Sequence, residues 1–339
     1  QFLQHSMKVN TMEKSLDIKL KKTVQGNYKP SDFIIADAKD GDMGGGITAF
    51  GQVPEDPSRS KSYTGHLEAM REMTSSKLID IMLMSVSGAE RLVNDDVFKN
   101  SAVTPAVRLN DTSDIWGPRG SKYKIHPAHN FRSARIDKVV PLVDLGLYSI
   151  TFSNDLKRDL ASLNEFHSFL DNISGKKLRY FLEVFNPQID IGIDKENLPG
   201  YVNDSIVRSL AGLTKEDSPL FLKMPFNGPK AMEELCQYDP GNLIVGVLGG
   251  GIGTTRDTFE LIRQSEKYGA RVALFGRKIL FAEVPKLIVT MMRAVVQGEM
   301  STEEAVKMYH SQITEMGISP KLSLEDDLKI TDPVLLKDI

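Results

Sequence analysis

The sequence predicts an α/β fold, a (β/α)8 TIM barrel with a long loop after strand three and a C-terminal helical extension. Three observations predict it. Eight short strand-like runs alternate with helix-like segments along almost the whole chain. Those runs are near-continuously apolar rather than alternating, as in parallel strands covered by helices on one side and a packed core on the other. The 339 residues also leave room for a single barrel of roughly 250 residues plus extensions. An open doubly wound sheet is the structural rival.

In order, strands are expected near 33–37 (FIIAD), 78–84 (LIDIMLM), 104–109 (TPAVRL) and 147–153 (LYSITFS). The second four are 178–185 (LRYFLEVF), 219–224 (PLFLKM), 243–248 (LIVGVL) and 271–275 (RVALF). A helix over 253–268 has a cap at Thr254, Asp257 three positions on, and a stop at Gly269. A second, over 281–296, carries Val284, Leu287, Ile288, Met291 and Val295 at helical spacing. The pattern is least regular at 110–146, a long polar stretch holding the only tryptophan, Trp116. A loop there would lie over the catalytic end of a barrel. A last helix at about 302–314 precedes a polar tail that wraps either the barrel or a partner subunit. The expected divisions are an N-terminal segment 1–30, the barrel 31–300, and a helix and tail 301–339.

Composition narrows the function classes. The chain is 41% hydrophobic and 26% charged with a net charge of −3, which points away from nucleic acid and acidic membranes as partners. No apolar stretch approaches the roughly 18–20 residues of a membrane span. The first twelve residues, QFLQHSMKVNTM, lack the pattern of a secretory signal. They are expected to be partly foreign to the native chain, with Met7 or Met12 as the native start. Cys236 is the only cysteine, so no intrachain disulfide is possible and a cytoplasmic setting is expected.

Lys223 interrupts the sixth strand, in SPLFLKMPFNGP. Alternation puts Phe221 and Lys223 on one face and Leu222 and Met224 on the other. A lysine there either snorkels from the strand end or pairs with an acid for stability, or it works as a nucleophile. Glu183 holds an equally apolar place in the fifth strand, LRYFLEVFNPQ. Matching inward positions on neighbouring strands are about 5 Å apart. A buried Glu–Lys pair is far less costly than two isolated charges. It also suits imine chemistry: a desolvated amine attacks a carbonyl, and a carboxylate moves the protons.

Asp37 ends the first strand and is followed by Lys39, Asp40, Asp42 and three glycines. Asp37 would orient the lysine or contact substrate hydroxyls. Asp40 and Asp42 read as solvated turn residues. Arg108, closing the third strand, either faces substrate or pairs with an acid. The stretch VGVLGGGIGTTRDTFELI is a strand, a glycine loop and a helix. Gly249, Gly250, Gly251 and Gly253 let backbone approach an anion, or simply make a tight turn. Gly276 and Arg277 follow the eighth strand. Barrels often hold phosphate with the loops after strands seven and eight, so two candidates in those places reinforce each other. Lys39 joins them as a candidate binding residue. None of the six histidines sits at a predicted strand end. His126 and His129, in HPAH, read as solvated loop residues before metal ligands. No metal or cofactor is expected.

The segments FLEVFNP, FLKMPFNGP, VLGGGIGTTRDTFELI and ALFGRKILFAE resemble, in order and spacing, the class I, Schiff-base-forming aldolases of the DeoC/LacD superfamily. The nearest likeness is to the tagatose-bisphosphate aldolase branch, strongest across 178–283. The resemblance implies a glutamate acid/base at Glu183, an imine lysine at Lys223 and a phosphate contact at Arg277. This chain lacks the lysine that the branch carries in strand four, where Tyr148 lies nearby. Its GGGIG loop is richer in glycine, and 110–134 has no counterpart. The expected protein is therefore a metal-independent aldolase acting on a sugar phosphate, with a homo-oligomer as its assembly. The alternatives are a non-catalytic barrel binding a phosphorylated metabolite and a lysine-dependent isomerase or lyase.

Overall fold

The computed structural model describes residues 12–338. Met7 and His5 lie outside the described residues. Eight parallel strands close into a barrel. They are β1 (Ile34–Ala38), β2 (Ile81–Met84), β3 (Thr104–Arg108) and β4 (Leu145–Thr151). The others are β5 (Arg179–Phe185), β6 (Leu222–Met224), β7 (Val245–Leu248) and β8 (Val272–Phe275). Each lies within one of the predicted strand regions or within two residues of it, and β8 pairs with β1, so the open-sheet rival is set aside.

The residues alternate across each strand. Inward, Ile34, Ala36, Ile81, Leu83, Phe181 and Phe221 fill the barrel, with Phe181 and Phe221 stacked at 4.7 Å. Leu16 and Leu20, on an N-terminal helix (Ser15–Val24), belong to the same cluster and plug its lower end. Outward, Ile35, Met82, Tyr148, Leu182 and Met224 join the larger core under the helices. Burial of this kind contributes about 1.5–3 kcal/mol for each large side chain.

The covering helices are α1 (Tyr63–Ser75), α2 (Val86–Asn94), α3 (Ile136–Val139) and α4 (Leu156–Ile173). They continue with α5 (Leu198–Leu210), α6 (Pro229–Tyr238), α7 (Thr255–Lys267) and α8 (Pro285–Val296). Thr254 and Asp257 form the expected capping box at the start of α7. The helix predicted over 281–296 starts later, with Pro285 as its first residue, after a separate short turn at Arg277–Leu280.

The stretch after β3 forms a two-stranded antiparallel ribbon, Asn110–Thr112 with Asn130–Arg132. Trp116 stacks on Tyr123 at 4.5 Å, and the Gly117 N–H donates to the Gly44 carbonyl at 2.9 Å. The loop is thereby tied to the β1 loop at the C-terminal mouth. A helix at Thr302–Glu315 precedes a tail that folds back onto α7. There Asp327 accepts from the Thr255 N–H at 2.6 Å, Asp257 accepts from the Thr331 N–H at 2.8 Å, and Asp338 meets Arg263 at 2.8 Å. Among the described residues no helix is long and apolar enough to cross a membrane.

Candidate active site

Strand register sets the site. Ser149 pairs with Glu183, and Glu183 pairs with Lys223, so three adjacent strands present three inward polar residues in one row. They stand one level above the stacked Phe181 and Phe221. Lys223 Nζ lies 2.7 Å from Glu183 Oε2. Lys223 is 5% exposed and Glu183 1%. Both line a cleft of about 410 Å³ at the C-terminal ends of the strands. The lysine therefore does not snorkel away.

Arg108, on β3 and in register with Leu147 one level lower, reaches up to that row. Its Nη2 donates to Glu183 Oε1 at 3.0 Å, its Nη1 to Ser149 Oγ at 2.8 Å, and its Nε to Asp40 Oδ2 at 2.6 Å. Ser149 Oγ in turn donates to Glu183 Oε1 at 2.8 Å. Of the two readings open for Arg108, pairing with acids is the one observed. Burial opposes its charge, but Asp40, Glu183 and Asp111 outweigh that and raise its pKa. For Asp40, burial favours the neutral acid, yet the charges on Arg108 and Lys223 hold its carboxyl below the usual value. Asp111 goes the other way: desolvation pushes it up to about 6 against the pull of Arg108.

Two expectations are corrected. Asp40 is no solvated turn residue; it is buried, bonded to Arg108 and lines the cleft. Asp37 does not reach Lys223 or the cleft. It is level with Met82 and Phe275 on the helix-facing side of β1, and both its oxygens accept from Lys39 Nζ at 2.7 Å. Tyr148, on β4, faces outward and stacks on Phe169 at 4.4 Å. Ser149, overlooked in the sequence, holds the inward position instead.

Lys39 lines the cleft with its charge engaged by Asp37. Gly249, Gly250, Gly276 and Arg277 form another part of the wall, with Gly250 at φ +69°. Gly251 is exposed and lies outside the lining. Lys278 steadies this loop from behind, donating to the Ile252 carbonyl at 3.2 Å. Across the mouth stand Ile115, Phe185, Asn186 and Gln188. Asn186 exchanges amide hydrogen bonds with Asn227 at 2.7 and 3.0 Å. His66, also missed, is buried beside Lys39. Its Nε2–H donates to the Lys39 carbonyl at 2.9 Å, and desolvation lowers its pKa. Among the described residues no three His, Cys, Asp or Glu side chains are grouped to hold a metal ion.

Fold and site together define a parallel eight-stranded barrel with a buried lysine–carboxylate pair at its C-terminal mouth. No family model and no curated protein sequence matches the chain. Solved structures do match in fold. An archaeal fructose 1,6-bisphosphate aldolase has a TM-score of 0.58 at 14% identity, covering 84% of this chain and 99% of its own. A fructose-bisphosphate aldolase from Slackia heliotrinireducens has a TM-score of 0.63 at 12% identity, covering 96% and 99%. An archaeal fructose-1,6-bisphosphate aldolase, solved with its catalytic lysine covalently bound to the carbinolamine intermediate of its substrate, has a TM-score of 0.59 at 14% identity, covering 84% and 100%. At these identities the likeness is one of fold.

Proposed function

We propose that this chain is a metal-independent class I aldolase, a carbon–carbon lyase that cleaves or forms a bond of a sugar phosphate through a Schiff base on Lys223. The observation that carries this reading is the 2.7 Å contact between Lys223 Nζ and Glu183 Oε2 inside a cleft at the catalytic end of the barrel. The sequence likeness to the DeoC/LacD aldolases, nearest the tagatose-bisphosphate branch, and the barrel likeness to Schiff-base aldolases support it. A cytoplasmic setting and a homo-oligomeric assembly belong to the same proposal.

The chemistry follows from the contacts. Lys223 loses a proton to Glu183 Oε2, and its lone pair attacks the carbonyl carbon of the substrate. Glu183 gives that proton to the carbonyl oxygen, takes a second from the added nitrogen and passes it to the carbinolamine hydroxyl, which leaves as water, and an iminium forms. The iminium withdraws the electron pair of the neighbouring carbon–carbon bond as the β-hydroxyl gives its proton to Glu183, ionised again by the dehydration. An aldehyde departs, leaving an enamine. Protonation of the enamine and hydrolysis release the second product and restore the amine. Arg108 and Ser149 hold Glu183 Oε1, so the carboxylate presents Oε2 to the amine. The backbone of Gly249, Gly250 and Gly276, with Arg277, receives phosphate, and Gly251 shapes the turn. Asp37 acts through Lys39 rather than on substrate.

Borohydride reduction of the chain mixed with a panel of ketose and deoxy-sugar phosphates tests this. The expected result is a stable mass adduct on Lys223. Absence of an adduct with every member would sink the Schiff-base claim. A second reading draws on the Arg108 clamp, which would equally suit a static ion network in a barrel that binds a phosphorylated metabolite. Lys223→Ala would then weaken binding with no turnover to lose. Product analysis separates a lysine-dependent isomerase or lyase.

A further inference from the structure

We infer that the substrate carries a single phosphate, seated at Gly249, Gly250, Gly276 and Arg277, and that its far end is uncharged. This rests on the reading of the cleft as a sugar-phosphate site and adds the number of anions it takes.

Four cationic side chains line the cleft: Lys39, Arg108, Lys223 and Arg277. Three are committed within the protein. Both oxygens of Asp37 hold Lys39, Asp40 and Glu183 hold Arg108, and Glu183 holds Lys223. Asp37, Asp40 and Glu183 thus set three carboxylates against three cations. Arg277 is exposed at the mouth and, among the described residues, makes no ion pair or side-chain hydrogen bond. One positive charge is left over, and it stands beside the glycine backbone that suits an anion.

A second phosphate would have to sit across the mouth, where Ile115, Phe185, Asn186 and Gln188 offer no charge. Drawing Arg108 or Lys39 to it would strip a buried carboxylate of its partner, a costly exchange. The adjoining cavity of about 450 Å³ is no better suited. Its two further lysines, Lys61 and Lys286, share the lining with two acids, Glu72 and Glu283, in equal number and without an ion pair among the described residues, and Phe50, Val53, Met73 and Val284 give it apolar walls. The amides of Asn186 and Gln188 instead fit hydroxyl groups, which both donate and accept.

The test is calorimetric titration of the full chain with inorganic phosphate, a ketohexose 1-phosphate and the matching 1,6-bisphosphate, beside Arg277→Ala. One phosphate per chain is expected, with the two sugars binding within about threefold of each other. Because Arg277 is exposed, its alanine variant should fold, and it should bind both sugars at least about tenfold more weakly, as loss of a charge-assisted contact implies. Two phosphates per chain, no phosphate at all, a bisphosphate preference beyond about tenfold, or a bisphosphate indifferent to Arg277→Ala would each overturn the inference. Borohydride trapping is run alongside. A single bound phosphate without a Lys223 adduct refutes the aldolase reading and leaves the count standing.

Discussion

Glu183 divides its carboxylate: Oε2 lies 2.7 Å from Lys223 Nζ, while Oε1 accepts from Arg108 and Ser149 at 3.0 and 2.8 Å. One oxygen is held and the other faces the amine. Glu183→Gln separates geometry from proton transfer. Its amide oxygen still accepts from Arg108 and Ser149, but its NH2 faces Lys223 and takes no proton. Turnover is expected to fall about 10²–10⁴-fold, with borohydride trapping slowed and KM changed little. Turnover close to native would remove Glu183 from the proton path.

Arg108 makes the network affordable to fold. Replacing it by Met fills similar space but leaves Asp40 and Glu183 buried without their guanidinium. A loss of about 3–5 kcal/mol is expected from equilibrium urea unfolding. Arg108→Lys should fall in between, since one ammonium does not span Asp40, Ser149 and Glu183 together. A Met variant as stable as the native chain would mean that water relieves those carboxylates.

How much of this was legible depends on whether the signal was local. The eight strands were, because burial on both faces makes them short apolar runs. Lys223 and Glu183 were, because a charge inside such a run is conspicuous. Asp40 was not: among Asp37, Lys39, Asp42 and glycines it looks like a turn, and its partner Arg108 is 68 positions away. Ser149 was legible but passed over. Leu145, Leu147 and Ser149 alternate inward, and that phase puts Tyr148 outside. Asp37 was misread for the same cause. The inward residues of β1 are Ile34 and Ala36, which leaves Asp37 on the helix side.

Asp111 sets a pH dependence with a definite sign. It lies 4.0 Å from Arg108 and is buried, and desolvation pushes its carboxyl up to about 6. The folded chain therefore binds this proton more tightly than the unfolded chain does. The associated stability is full below the unfolded value of about 3.9 and is lost as pH rises through about 6. Asp111→Asn keeps an acceptor for the Thr112 N–H, which now donates to Oδ1 at 2.8 Å. It should be the more stable protein above pH 6, by on the order of 2–3 kcal/mol at most, with the advantage shrinking toward pH 4. Asp40 has the opposite sign, since its pKa is lowered, but it is present in both proteins and largely cancels in the difference. Urea midpoints measured across that range check it; a difference flat with pH would contradict the assignment.

Gly246 tests how closely the barrel itself sets the lysine. It pairs with Lys223 on one side and Val272 on the other. A Cβ there would come 2.5 Å from the Leu222 carbonyl oxygen, 2.9 Å from Leu274 Cδ1 and 3.0 Å from Val272 Cβ. The nearest of these is backbone in a closed barrel, so no side-chain rotation relieves it. The strand carrying Lys223 must shift. Gly246→Ala is therefore expected to cost about 1–3 kcal/mol in stability. It should also slow Lys223 trapping, because the residue displaced is the one immediately before the lysine. Gly251→Ala is the control: a Cβ there meets nothing within 4 Å, so its stability should stay within about 0.5 kcal/mol of native. If Gly246→Ala lost stability but trapped Lys223 at the native rate, the strand would have moved without moving the amine. The register of β6 against β7 would then not be what positions it.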